Sequence, residues 1–121
     1  STMTQSDLFA ARKEVLDIHM ADNLEDYLVH LVLSTRTPEK YGDDLAQWLE
    51  YGASPRATMA LDRCARAHAW LAGRDFVTPE DVQTIAPDAL RHRILLDYEA
   101  EAEGLTSEHF IGELLSRVPA P

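Results

Sequence analysis

The sequence predicts an all-α fold, a small helical bundle with room for one short strand pair. Three observations predict it. Apolar residues recur at three- and four-residue spacing through "LEDYLVHLVLSTR", so that Leu24, Tyr27, Leu28, Leu31 and Val32 share one helical face. Ser54-Pro55 and Thr78-Pro79 each read as a helix start, a hydroxyl cap followed by a proline whose missing N–H is not needed in the first turn. Gly73 follows an alanine-rich helical pattern, where a helix stops most easily on a residue that tolerates positive φ.

The elements follow in order. "SDLFAARKEVL" predicts a first helix from Ser6 to about Leu16, with Ser6 as its cap. "DIHM" is too short to classify and is compatible with a bend or a short strand. Asn23 is the expected cap of the second helix, which must end before Thr37-Pro38 because proline pushes the preceding residue out of helical space. Residues 37–53, with Pro38, Gly42 and Gly52, predict a long loop holding a short amphipathic piece, "DDLAQWLEY". The central helix runs from Pro55 to about Ala72. "RDFV" leads to the Thr78-capped helix, where Asp81 completes an acidic capping pattern. Pro87 is expected to interrupt that helix and restart a turn through "DALRHRI". "LLDYEAEAEG" is ambiguous, and Thr106 or Ser107 caps "EHFIGELLSR". A strand pair is expected near "DIHM" and either "RDFV" or "ILLDY". Residues 1–5 are expected to be a disordered or vector-derived start, 6–118 one helical domain, and 119–121 a proline-rich tail.

The chain has 121 residues, enough for one domain, and a formal charge of −10 from 21 acids against 11 lysines and arginines. That balance argues against nucleic acid or an anionic membrane as partner. No apolar run reaches the ~18 residues of a membrane span and no leader pattern opens the chain, so a cytoplasmic protein is expected. A single cysteine, Cys64, excludes an internal disulfide framework and is expected to be a buried small residue. Trp48, Tyr51 and Trp70 are expected to pack rather than to stack bases.

Self-contained catalysis has no visible machinery. There is no phosphate-binding glycine loop, no serine elbow, and no histidine or cysteine pair at metal spacing among His19, His30, His68, His92 and His109. No catalytic residue and no metal site is therefore expected within the chain itself. What stands out is arginine placement. Arg56 and Arg63 are seven residues apart on the central helix with Arg66 on the flank, and Arg74, Arg91 and Arg93 follow. By charge alone this is a solvated face paired with Asp62, Asp75 and Asp81. Arg56 differs, because a cation is mildly unfavourable at the positive end of a helix. An anion would offset the mismatch, held by a fixed guanidinium and neighbouring N–H groups.

"GASPRA" at 52–57, "A-x-L-x-GRDFVTPEDV" at 69–82, "ALRHRI" at 89–94 and the closing "LLSRVPAP" together resemble the C-terminal lid of MoxR-family AAA+ ATPases. "LEDYLVHLVLSTR" is similar to the "YI..LV..TR" segment of that lid. The resemblance covers nearly the whole chain in order. It implies an AAA+ lid-type bundle that works with an α/β nucleotide-binding core lying outside this sequence. It further implies that Arg56 is the sensor 2 residue approaching the γ-phosphate of ATP. Gly52, Ser54 and Pro55 then support the helix start, while Arg74, Arg91 and Arg93 serve packing or inter-subunit pairing. For the full-length protein it implies ATP hydrolysis with Mg2+, a homo-hexameric ring and partners with von Willebrand factor A domains, in chaperone-like remodelling or maturation. The competing expectation is a free-standing helical interaction module without a core. A histone-like module, suggested by "VTPEDV", fits the acidic charge poorly.

Overall fold

The computed structural model describes residues 4–121. Helices dominate: α1 (Gln5–Leu16), α2 (Asp22–Arg36), α3 (Asp43–Trp48), α4 (Ala57–Leu71), α5 (Pro79–Leu90), α6 (Tyr98–Ala102) and α7 (Ser107–Arg117). A 3-10 turn spans Pro38–Lys40, and strands β1 (Leu49–Tyr51) and β2 (Leu95–Leu96) pair antiparallel. The all-α bundle with one short strand pair is thus as the sequence predicts.

α4 is the axis. Its buried face is Ala57, Leu61, Ala65 and Ala69, a four-residue repeat dominated by alanines that lets α5 approach closely with Val82, Ala86 and Leu90. The other side of the core comes from Leu24, Tyr27, Leu28, Leu31 and Val32 of α2 and from Phe110, Ile111 and Leu114 of α7. Trp48 and Trp70 pack half-buried against this core, but Tyr51 is 67% exposed and does not. Among the described residues, no helix is long and apolar enough to cross a membrane.

Helix ends correct several expectations. α1 opens at Gln5 with Thr4 as cap and Asp7 completing the capping box, so Ser6 lies inside the helix; residues 1–3 of the expected disordered start lie outside the described residues. α2 opens at Asp22 from Ala21, with no side-chain cap, so Asn23 is a first-turn residue. Pro87 does not interrupt α5. The lost backbone bond is tolerated because Val82, Ala86 and Leu90 on either side are fully buried against α4. Cys64 is exposed, since it falls on the solvent side of the α4 repeat. The "DIHM"–"RDFV" pairing survives as a single parallel bridge, His19 to Phe76, whereas Leu95 and Leu96 of "ILLDY" pair with β1 instead.

Other starts and stops are as read. Thr78 and Asp81 form a capping box, and Thr106 caps α7. After α4, Gly73 has φ +79, Gly73 N–H bonds Trp70 O at 2.9 Å, and Arg74 N–H bonds Ala69 O at 3.0 Å, the paired closure of a glycine-ended helix.

Candidate functional site

The segment carrying Arg56 is fixed from behind by the end of α2. Thr35 continues the apolar stripe of α2 into the core, and its hydroxyl donates to Val32 O at 2.6 Å while accepting from Ala53 N–H at 2.8 Å. Both groups are buried, so leaving either without its partner is costly. Gly52 lies directly on the same turn: a Cβ there would fall inside contact distance of the Thr35 carbonyl and the Arg36 nitrogen. Only glycine allows that approach. The loop Gly52–Pro55 is therefore bolted to α2, and the chain enters α4 from a fixed point.

The entry itself differs from expectation. Ser54, Pro55 and Arg56 are all exposed. Ser54 contributes its carbonyl to Ala57 N–H at 2.9 Å and Pro55 its carbonyl to Thr58 N–H at 3.2 Å, so the first turn winds tightly before α4 begins at Ala57. Arg56 sits at the cap position with φ −63 and ψ −20, and no side chain caps the helix. Proline supplies no N–H, and the Ala57 N–H that a Ser54 hydroxyl would cap goes to the Ser54 carbonyl instead, so the hydroxyl has no capping role. Among the described residues, the Arg56 guanidinium has no ion pair or hydrogen bond, and the N–H of Arg56 meets no acceptor. Along the preceding loop lies an open cleft of about 340 Å³ lined by Arg36, Glu50, Tyr51, Gly52, Ala53 and Ser54; Arg56 is not part of its lining. Arg36 is the residue that sequence reasoning missed. Its neighbour Thr35 was the available signal, a hydroxyl on the apolar stripe, but its partner Ala53 is eighteen residues away.

Five of the other arginines, Arg66, Arg74, Arg91, Arg93 and Arg117, are engaged within the chain, while Arg12, Arg36 and Arg63 have no ion pair among the described residues. Arg74 grips Asp81 with two hydrogen bonds, 2.5 and 2.6 Å, and donates to Phe76 O at 3.2 Å. Asp81 has 0% exposure and also accepts from Thr78 N–H at 2.7 Å and the Thr78 hydroxyl at 3.0 Å, with His68 Nδ1 at 2.6 Å. Burial pushes the Asp81 carboxyl up, but the donors, Arg74 foremost, outweigh it and hold the group well below the usual carboxylate range. The same pairing raises Arg74. Arg91 ties Asp88 at 2.6 Å to Glu108 at 2.5 Å, joining α5 to α7, while Arg93 donates to Ala89 O at 3.0 Å. Arg66 pairs with Asp62 at 2.5 Å, as expected; Asp75 offers only its carbonyl, to His19 N–H at 2.8 Å. The structure thus separates Arg56 from the arginines that hold the bundle together. Among the described residues, no group of three or more histidines, cysteines or carboxylates could hold a metal ion.

The chain is similar to known proteins over most of its length. Residues 44–114 match the family model of the AAA lid domain. The chain is 43% identical over 99 residues to the chaperone MoxR1 of Mycobacterium tuberculosis, covering 81% of this chain and 26% of that protein. It is 40% identical over 72 residues to the protein MoxR of Methylorubrum extorquens, covering 58% of this chain and 21% of that one. A crystal structure of a candidate ATPase from Cytophaga hutchinsonii superposes with a TM-score of 0.90 at 41% identity, over 96% of this chain and 36% of that chain. The chain thus spans only about a quarter to a third of the length of relatives such as MoxR1 and the Cytophaga protein. By motif, fold and similarity, the chain belongs to the AAA lid domain family, and it is similar to a part of the MoxR proteins.

Proposed function

We propose that this lid presents Arg56 to the terminal phosphates of ATP bound on an ATPase core, as a sensor 2 residue. The observation that carries the reading is position: among the described residues Arg12, Arg36 and Arg63 also lack an ion pair, but Arg56 alone of these stands at the entry to α4, directly after the loop Gly52–Pro55 fixed to α2 by Thr35 and Gly52. A preplaced cation stabilises charge on the transferring phosphoryl group without reorganising when the reaction begins. Arg56 binds and orients; its free N–H is a second donor for the same oxygens. Nucleotide and Mg2+ would be held chiefly by the core. The bolted loop Gly52–Pro55 passes any displacement of Arg56 to α2 and α4 as a unit, which is how nucleotide state would move the lid.

In the whole protein this reading places the lid in an ATP-hydrolysing, chaperone-like machine that remodels or matures partner proteins. The sequence resemblance adds a homo-hexameric ring and partners with von Willebrand factor A domains. The test is Arg56→Ala in the polypeptide carrying its core. ATP turnover should fall by about a hundredfold, the scale of losing one preorganised charge-stabilising donor, while the lid melts as before. Unchanged turnover would remove Arg56 from the site.

A further inference from the structure

Ala53 and Ala57 are both fully buried, and the residues between them, Ser54, Pro55 and Arg56, are exposed. Arg56 is therefore carried on a short arch between two anchors. The downstream anchor is α4 itself: the carbonyls of Ser54, Pro55 and Arg56 accept from the N–H groups of Ala57, Thr58 and Met59 at 2.9, 3.2 and 3.1 Å. The upstream anchor is different. For residues 53–56, the bond from Ala53 N–H to the Thr35 hydroxyl is the one hydrogen bond among the described residues that reaches an element other than α4.

That bond is directional. Thr35 has a single hydroxyl proton and gives it to Val32 O at 2.6 Å, which leaves a lone pair for Ala53 N–H at 2.8 Å. The close seat of Gly52 on the Thr35 carbonyl limits how near the loop comes to α2. The hydroxyl fixes where along α2 it sits.

A buried threonine that satisfies a loop N–H is most often a part of the fold and nothing more. Here its partner lies three residues before Arg56, and Pro55, with its φ locked by the ring, stands between them. A shift at Ala53 thus reaches Arg56 with little slack. Valine at position 35 would fill nearly the same space but leave Ala53 N–H without an acceptor in a buried site, and the loop would move to find one.

We propose that Thr35 is a positioning residue for Arg56, its hydroxyl setting where the guanidinium stands relative to α2. This rests on the sensor reading of Arg56 given above. Thr35 touches no nucleotide; it acts through Ala53 and the arch. Both groups of the bond lie inside the lid, so it does not depend on what covers the outer face.

The test is a double-substitution cycle in the core-bearing protein, with kcat and KM for ATP measured well below each variant's melting midpoint. Thr35→Val should lower kcat about tenfold and leave KM within about twofold, the pattern of a displaced group that acts in the transition state. Thr35→Ser, which keeps the hydroxyl, should recover most of that rate despite the methyl lost from the core. With Arg56→Ala already present, adding Thr35→Val should change kcat by less than about twofold, because its effect passes through the guanidinium. A threonine that only stabilises the fold gives the opposite: turnover that follows the folded fraction, a serine variant as slow as the valine one, and a loss that persists in the Arg56→Ala background. Any of these would overturn the proposal. Should the valine variant not fold, Thr35→Ala, whose small cavity admits a water to Ala53 N–H, is the second hydroxyl-free variant with the same expected loss. If Arg56→Ala alone leaves turnover unchanged, the sensor reading falls and the positioning role falls with it. A loss in Arg56→Ala with none in Thr35→Val removes the positioning role alone.

Discussion

Asp81→Asn probes the buried junction that joins α4, the glycine-ended turn and α5. The carboxylate has no exposed surface and gathers Arg74 twice, the Thr78 N–H and hydroxyl, and His68. Asparagine keeps one carbonyl oxygen for the Thr78 N–H, so the cap survives in part; what disappears is the charge. Removing one partner of a buried ion pair costs about 3–5 kcal/mol when the other stays trapped. The Arg74 side chain is 29% exposed and can turn toward water, which lowers the expected loss to about 2–4 kcal/mol. For a domain of this size one kcal/mol moves the melting midpoint by about 4 °C, so thermal unfolding at pH 7 should shift down by about 8–16 °C. The pH dependence adds a signature. Because the folded carboxyl lies below its unfolded value, its contribution is complete above about pH 5 and is lost as pH falls through the acid range. Wild type and Asp81→Asn should therefore draw together by about 1 kcal/mol on lowering the pH to about 3. A loss below about 1 kcal/mol at pH 7, or a gap that does not narrow in acid, would refute the reasoning.

Further outcomes are expected elsewhere. Gly52→Ala would drive a Cβ into the Thr35 backbone, so urea unfolding should show a loss of about 1–3 kcal/mol, and ATP turnover of the core-bearing protein should fall with it because the entry to Arg56 moves. Asp44 accepts two hydrogen bonds from Arg117, at 2.7 and 2.9 Å, and these hold its carboxyl down at about 2. Its side-chain carbon resonance should titrate near that value and return toward the ordinary 3.8 in Arg117→Met.

What was legible in the sequence was local. The α2 stripe, the Thr78-Pro79 start and the Gly73 stop depend on residues within one or two turns of each other, and all three stand as read. The misread caps at Ser6, Asn23 and Ser54 show the limit of that approach. Several polar residues near a helix start compete for the role, and the winner is set by where the chain enters from. Pro87 was misjudged for a related reason: burial of Ala86 and Leu90 against α4 outweighs a local breaker. The β1–β2 pair joins residues more than forty positions apart through only a few bonds, too little for any pattern to reveal. At the candidate site, Arg56 was visible as a cation at a helix start. The clamp behind it, Thr35 on Ala53 with Gly52 against α2, was not, because it exists only once α2 and the loop are folded together.

The central claim is that Arg56 meets nucleotide phosphate. The most direct measurement is a crystal structure of the core-bearing protein with a non-hydrolysable ATP analogue and magnesium. The account predicts an Arg56 guanidinium nitrogen about 2.7–2.9 Å from a terminal phosphate oxygen, within its own subunit or across an interface. A nucleotide-filled site with Arg56 still free in solvent, as it stands in the isolated lid, would contradict it.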